Sequence, residues 1–207
     1  VFSNVEVAIV YNGQDAKTLE AAEAAEVKEG CRAISFTLGI PSRSAVGYVE
    51  EFLVDRAFIE NRGEAALELA SFEDIDCMGI RSDHMLANIA AAAALARSVD
   101  VSAESIRQAI RTFVPAPHRI QRVAELAGVT YVDDSKATNA HAADASLKSF
   151  ESVVWIVGGL LKGVDPAPLI KKHASRLRGV VVIGADTSEL EAILATGYPN
   201  LEVRVIS

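Results

Sequence analysis

β-rich and helix-forming segments alternate in residues 129–159, VTYVDDSKATNAHAADASLKSFESVVWIVGG. The β-branched runs Val129–Val132 and Val153–Val157 predict two strands, and Ala140–Phe150 between them predicts a helix. The same alternation continues to the C-terminus, with strands near Val180–Ile183 and Val203–Ile206 and helices near Pro166–Arg176 and Ser188–Ala195. Apolar strands that alternate with helices are typical of a parallel sheet covered by helices, so the chain is predicted to be α/β.

The preceding residues predict a second α/β unit. Strand Val5–Tyr11, helix Asp15–Val27 and strand Arg32–Thr37 follow one another as a βαβ unit. Short β-rich segments at Tyr48–Val54 and Ala65–Leu69 then predict a small antiparallel excursion.

Two helices are predicted after this excursion. Ser82 is placed to cap a helix that runs to about Arg97, and Ser102 a second one that runs to about Phe113, and the two are expected to form a helical hairpin. Two prolines, Pro115 and Pro117, then stop helix propagation. The sequence therefore predicts two domains, residues 1–114 and 115–207.

The composition narrows the classes of function. Half of the 207 residues are hydrophobic, so a substantial core can form. The 20 basic and 28 acidic residues give a net charge of -8, which argues against general nucleic-acid binding. No apolar run approaches the ~20 residues of a membrane helix. The only cysteines, Cys31 and Cys77, lie outside any CxxC spacing, which favours a reducing compartment.

Both ends of the sequence suggest a piece of a longer protein. Val1 is not an initiator methionine, and the residues after it lack the basic region of a signal peptide. The last predicted strand is followed by no helix that could cover it. We therefore expect further sequence on both sides.

The densest polar cluster is Asp133-Asp134-Ser135-Lys136-Ala137-Thr138-Asn139, between a predicted strand and a predicted helix. In an open α/β sheet, ligands bind at the carboxyl ends of strands, near helix-terminal amides. The alternative is that Thr138 or Asn139 only caps the helix and the charged residues are solvated. Seven consecutive polar or small residues exceed what a cap requires, which favours a ligand site.

Two further motifs are weaker signals of a ligand site. Gly158-Gly159-Leu160-Leu161-Lys162-Gly163 follows the next strand, where glycines allow a ligand to approach and a lysine supplies a charge. It is not a Walker loop, because Gly163 stands where Ser or Thr is required. Pro117-His118-Arg119 offers a guanidinium at the predicted domain junction, but a surface arginine in a linker is an equal alternative.

Other polar residues have ordinary structural explanations. Asn88 is a lone amide on an apolar helix, and Asp15 can simply cap the first helix. The four histidines lack partners at metal-ligand spacing, so no metal site is predicted in this chain: His84, His118, His141 and His173.

Together these motifs resemble the Mur ligase family. The resemblance is carried by His118-Arg119, by the string from Asp134 to Asn139, and by Gly158-Gly159 with Lys162-Gly163. It extends to Val5–Asp15 and His84–Ala94, and the Asp-Ser-Lys-Ala-Thr-Asn string is similar to the family member that adds D-glutamate. The resemblance implies the second half of a central ATPase domain, followed by most of a Rossmann-like C-terminal domain.

The resemblance implies an activity and site residues. The reaction would be ATP-dependent addition of D-glutamate to UDP-N-acetylmuramoyl-L-alanine through an acyl phosphate. The enzyme would be a cytoplasmic monomer that acts on small molecules. The phosphate loop and the Mg²⁺ ligands would precede Val1, so this chain alone is expected to be inactive. The implied roles are catalysis for Lys136, nucleotide binding for Asn88, Arg119 and Asp134, and D-glutamate binding for Thr138 and Lys162.

Two departures and two rival functions accompany the resemblance. Met85 and Gly13-Gln14 differ from the family's commoner residues, so the adenine contacts are the least secure. One rival is a nucleotide-binding module without catalysis. The other, a dinucleotide oxidoreductase, is disfavoured because no strand is followed by GxGxxG.

Overall fold

The computed structural model describes residues 2–159 and 165–206 of the chain. In chain order its helices and strands are β1 (Ala8–Asn12), α1 (Ala16–Glu23), β2 (Arg32–Phe36), β3 (Ala45–Val49), β4 (Phe52–Asp55), β5 (Leu67–Ser71), α2 (Phe72–Asp76), α3 (Asp83–Ser98), α4 (Ala103–Thr112), β6 (Gln121–Leu126), β7 (Val129–Asp133), α5 (Ala140–Lys148), β8 (Val153–Gly158), α6 (Ala167–His173), a 3₁₀ turn (Ala174–Arg176), β9 (Leu177–Ile183), α7 (Ser188–Gly197) and β10 (Glu202–Ile206).

The chain divides into two compact units. The first contains the residues up to Pro117 together with Gln121–Tyr131, and the second contains His118–Ile120 and the described residues from Val132 onward. The assignment of residues 1–114 and 115–207 to two ligase domains stays a prediction.

The first unit is built on a five-stranded sheet of order β1-β2-β3-β4-β5. β1, β2 and β3 are parallel, whereas β4 runs antiparallel to both of its neighbours, which confirms the predicted antiparallel excursion. The single β segment predicted at Tyr48–Val54 is wrong. A two-residue turn at Glu50 and Glu51 divides it, Glu50 has a φ of 53°, and Val49 lies opposite Phe52.

Helices α3 and α4 of the first unit begin at the predicted serine caps. Ser82 Oγ accepts the N–H of Met85 at 3.4 Å, and Ser102 Oγ accepts the N–H of Ser105 at 3.1 Å. α3 packs on β1, β2 and β3, while α4 packs on β5. Alanines on α3 let the helix approach the sheet closely, and the shared core includes Ile34, Val46, Leu53, Leu69, Ile75, Ala90 and Ala94.

The second unit contains a three-stranded parallel sheet of order β10-β9-β8. α6 connects β8 to β9, and α7 connects β9 to β10. Their apolar side chains form a second core with α5, made by Leu147, Ile170, Val180, Val182, Leu190 and Leu194. The predicted α/β class with a mainly parallel sheet is confirmed.

One strand of the predicted parallel sheet is paired elsewhere. β7 forms a two-stranded sheet with β6, a strand that the sequence analysis did not predict. Ala127 and Gly128 connect the two strands with φ values of 50° and 76°, and two positive φ values are typical of tight hairpin turns. The cluster that starts at Asp133 therefore follows a hairpin strand, not a strand of the β10-β9-β8 sheet.

No helix in the described residues has the length and apolarity needed to span a membrane.

Candidate functional site

The loop after β7 is organised by Asp133. Its Oδ1 accepts the N–H of Ser135 at 3.0 Å, and its Oδ2 lies 2.7 Å from Nδ1 of His118. The hydrogen bond from His118, followed by that from the Ser135 amide, lowers the pKa of Asp133 to about 2. Asp133 is therefore an anion at neutral pH, and sequence reasoning assigned it no role. The signal that could have found it is the pair of adjacent aspartates.

Asp134 also supports backbone. Its Oδ1 accepts the N–H of Ile120 at 3.0 Å, and its carbonyl oxygen accepts the N–H of Ala137 at 2.8 Å. The N–H of Lys136 in turn donates to the carbonyl of His118 at 3.1 Å. These bonds bring the segment 118–120 against the loop 133–137, so the predicted residues Arg119, Asp134 and Lys136 lie on two connected stretches of backbone.

The two cations of this region are exposed. Within residues 2–159 and 165–206, the side chains of Arg119 and Lys136 form no ion pair or hydrogen bond. Cations that remain without an anionic partner on a fixed loop can bind an anionic ligand, and a guanidinium is suited to phosphate. The arrangement can therefore hold a phosphate or an acyl phosphate.

Asn139, not Thr138, caps the helix that follows the loop. The Oδ1 of Asn139 accepts the N–H of Ala142 at 2.9 Å, at the start of α5. Thr138 is exposed, and its N–H donates to the carbonyl of Lys136 at 2.9 Å. The hydroxyl of Thr138 is not needed for capping, so it can serve a ligand as the resemblance implies.

The glycine motif after β8 is described only in part. Lys162, the predicted D-glutamate residue, lies outside the described residues. Gly158 packs so closely on β9 that an added Cβ would overlap the carbonyl oxygen of Ile183. Gly159 has a φ of 102°, in the left-handed region that disfavours side chains. Backbone geometry therefore explains why glycine stands at both positions. This explanation neither requires nor excludes a ligand.

Asn88 lies in the first unit, exposed on α3. One turn earlier on the same helix, Nδ1 of His84 lies 2.9 Å from the capping hydroxyl of Ser82. Asp15 caps α1 by accepting the N–H of Lys17 at 2.8 Å, as the simpler interpretation proposed. In the described part of the chain, no group of three or more His, Cys, Asp or Glu side chains is arranged to hold a metal ion.

A polar cleft of the first unit has a structural explanation. It is lined in part by Glu68, Asp74, Arg107 and Arg111. Burial raises the pKa of Asp74, but hydrogen bonds from Ser71 and from Arg111 at 2.5 Å outweigh it, and the net shift is downward. These arginines tie α4 to α2 and β5, so we assign the cleft no ligand.

Comparison with solved structures places the fold. No family model matches the chain. A crystal structure of MurF from Acinetobacter baumannii superposes with a TM-score of 0.62 at 17% identity, over 96% of this chain and 48% of that one. A murein peptide ligase from Psychrobacter arcticus gives a TM-score of 0.57 at 13% identity, over 97% of this chain and 43% of that one. The chain therefore shares the fold of these two proteins.

Sequence relatives identify the family. A UDP-N-acetylmuramoylalanine–D-glutamate ligase from Streptomyces avermitilis is 50% identical over 203 residues, which cover 98% of this chain and 43% of that protein. A ligase of the same name from Thermobifida fusca is 52% identical over 170 residues, or 82% of this chain and 36% of that protein. The chain belongs to the Mur ligase family. It spans about two fifths of the length of these relatives.

Proposed function

We propose that this chain is part of an ATP-dependent ligase that joins D-glutamate to UDP-N-acetylmuramoyl-L-alanine in peptidoglycan precursor synthesis. ATP phosphorylates the carboxylate of the alanine, and the amine of D-glutamate attacks the resulting acyl phosphate. The products are the amide, ADP and inorganic phosphate. Such a reaction depends on positioning and on neutralising phosphate charge.

The observation that supports this proposal most strongly is the identity of 50% to a ligase of this name over 98% of the chain. The enzyme would act on small molecules in the cytoplasm, as a monomer. ATP and Mg²⁺ would be its cofactors, and the Mg²⁺ ligands would come from sequence outside this chain. The full-length ligase, used in the experiments below, is a protein that contains this chain and is as long as the relatives.

The geometry around the loop after β7 supports the roles of three residues. Arg119 and Lys136 are exposed cations on connected stretches of backbone, so they suit the nucleotide phosphates and the acyl phosphate. One oxygen of Asp134 is used by the N–H of Ile120, and the other can accept from a ribose hydroxyl. Asn88 would bind the nucleotide, and Thr138 and Lys162 would hold a carboxylate of D-glutamate.

The test is a steady-state assay of the full-length ligase with ATP, Mg²⁺, D-glutamate and UDP-N-acetylmuramoyl-L-alanine. Released phosphate and the ligated product are both measured. Arg119→Ala should raise the KM for ATP about tenfold or more, the effect of losing a hydrogen bond to a charged group. Nucleotide binding without ligated product would instead support the module without catalysis.

The D-glutamate side is tested by Lys162→Met in the same assay. Loss of the ammonium should raise the KM for D-glutamate far more than the KM for ATP, because a small molecule with two carboxylates relies on few charged contacts. Lys171→Met, at an exposed position of α6, is the control for loss of a lysine charge in the same unit. Equal effects of Lys162→Met on both substrates would place this lysine at the phosphates.

A further inference from the structure

The backbone on both sides of Arg119 is in a strained conformation. His118 has a φ of 64° and Ile120 a φ of 46°. A positive φ is uncommon for any residue with a side chain and is an outlier for a β-branched one such as isoleucine. Strain of this kind persists only where the surrounding contacts enforce it. The contacts around this segment therefore show which groups hold it in this unfavourable conformation.

Three hydrogen bonds hold the segment 118–120. The N–H of Ile120 donates to Oδ1 of Asp134 at 3.0 Å, and the carbonyl of His118 accepts the N–H of Lys136 at 3.1 Å. The ring of His118 pairs with Oδ2 of Asp133 at 2.7 Å. The side chain of Ile120 is also buried, at 8% exposure. Arg119 thus lies between two residues that are each fixed to the loop after β7.

Asp133 contacts both sides of this arrangement. Its Oδ2 pairs with His118, on the segment that carries Arg119, while its Oδ1 accepts the N–H of Ser135, next to Lys136. A carboxylate repels phosphate, so Asp133 is not expected to bind the nucleotide itself. Its contacts are suited to fixing the relative position of two cation-bearing stretches of backbone.

We propose that Asp133 is a positioning residue, which acts through His118 to hold the strained segment 118–120 so that Arg119 and Lys136 are presented together to the phosphates. This inference rests on the proposed function, in which both cations bind phosphate groups. It predicts that loss of Asp133 weakens nucleotide binding although Asp133 does not contact the nucleotide.

The experiment measures KM for ATP and for D-glutamate, and kcat, in the full-length ligase. Asp133→Ala should raise the KM for ATP about tenfold, because a fixed guanidinium becomes mobile, and leave the KM for D-glutamate within about twofold. Asp133→Asn should have a smaller effect, since its amide oxygen still accepts from Ser135. The matched control is Glu151→Gln, an exposed acid before β8, which should change neither constant.

A double-mutant cycle tests whether Asp133 acts through His118. If the two form one unit, the variant with both His118→Ala and Asp133→Ala should raise the KM for ATP no more than the stronger single variant. Additive effects would overturn the proposal. A rise in both Michaelis constants by the same factor would overturn it too, because that is the effect of a collapsed loop. If Asp133→Ala does not fold, Asp133→Asn and His118→Ala carry the same comparison.

Arg119→Ala separates the two proposals. If it raises the KM for ATP and Asp133→Ala does not, the positioning role is wrong while the proposed function stands. If Arg119→Ala itself leaves ATP binding unchanged, the phosphate role of Arg119 is wrong, and the positioning role falls with it.

Discussion

Asp55 in the first unit and Asp133 in the second use the same chemistry at different depths. Asp55 is completely buried, and its Oδ1 accepts the N–H groups of Ala57 at 2.7 Å and Phe58 at 2.9 Å. Its Oδ2 accepts from Nε of Arg97, also at 2.9 Å. Every contact of this carboxylate is internal to the first unit, so it holds a turn of the fold.

Asp133 also joins a backbone N–H to a second side chain, the imidazole of His118, but at the surface. Its side chain is 30% exposed and that of His118 is 54% exposed. Water can replace much of what such a pair provides, and exposed pairs contribute little to stability. Burial therefore decides how much each aspartate contributes to stability. The buried one stabilises the fold, while the exposed one fixes a loop that carries ligand-binding candidates.

The largest effect is expected for Asp55→Ala. It removes one partner of a buried ion pair and leaves Nε of Arg97 and two backbone N–H groups without their acceptor, which costs about 3–5 kcal/mol. Amide hydrogen exchange of β4 and β5 in the 207-residue chain should show this loss in the first unit.

Asp76→Ala is the matched control in the first unit. Asp76 pairs with Arg81 at 2.9 Å, but its side chain is 56% exposed, so its loss should change exchange little. If Asp55→Ala and Asp76→Ala had equal effects, burial would not be the property that separates the two kinds of anchor.

The second prediction tests packing in the second unit, without any charge. Gly158→Ala would place a Cβ against the carbonyl oxygen of Ile183, and the strands must shift, at a cost of about 1–3 kcal/mol. The single tryptophan, Trp155, is partly buried and packs against the core of this unit, so its fluorescence in urea reports the change. Gly197→Ala, at an open position of α7, is the control and should not destabilise.

The sequence predicted local structure better than strand pairing. The capping serines Ser82 and Ser102 and the alternation after Val153 are local signals, and all were confirmed. Local patterns do not say which strand pairs with which. β7 was therefore placed in the parallel sheet, although the Ala127-Gly128 turn pairs it with β6. Ala-Gly is a weaker hairpin signal than Asn-Gly, so this turn was missed.

The candidate site was predicted as a set of residue types, and its geometry was not. The cluster from Asp133 to Asn139 was recognised by its density of polar residues. The strained segment 118–120 could not be, because positive φ values at His118 and Ile120 arise from tertiary contacts that override local preference. The nucleotide and D-glutamate roles stay predictions.

The third prediction concerns an intermediate case, Asp144, whose side chain is 20% exposed. It accepts from Lys148 at 2.7 Å, Lys172 at 2.7 Å and buried His173 at 2.8 Å. Burial raises the pKa of Asp144, but these hydrogen bonds outweigh it and hold the pKa well below its usual range. Asp144→Asn should therefore destabilise the second unit by about 1 kcal/mol at pH 7.

The pH dependence of this effect has a defined sign. A carboxyl whose pKa is lower in the folded state stabilises the fold above its unfolded pKa of about 3.9, and loses that contribution as pH falls. The difference between wild type and Asp144→Asn, from Trp155 fluorescence in urea, should shrink below about pH 4. A difference that grew on acidification would contradict the assigned charge interactions.

The smallest effect on stability is expected for Asp133→Ala. Its partners are exposed and water can solvate them, so the urea midpoint reported by Trp155 should stay within error of wild type at pH 7. Because His118 lowers the pKa of Asp133 to about 2, any small stabilisation should be fully present above the unfolded pKa of this aspartate. It should be lost as the pH falls from the unfolded pKa towards 2.

The measurement compares Asp133→Ala with Asp144→Asn in the same unit with the same probe. A loss as large as that of Asp144→Asn would mean that the exposed anchor stabilises the unit. The contrast with Asp55 would then fail, and a change in ATP binding could no longer be assigned to the position of Arg119 alone.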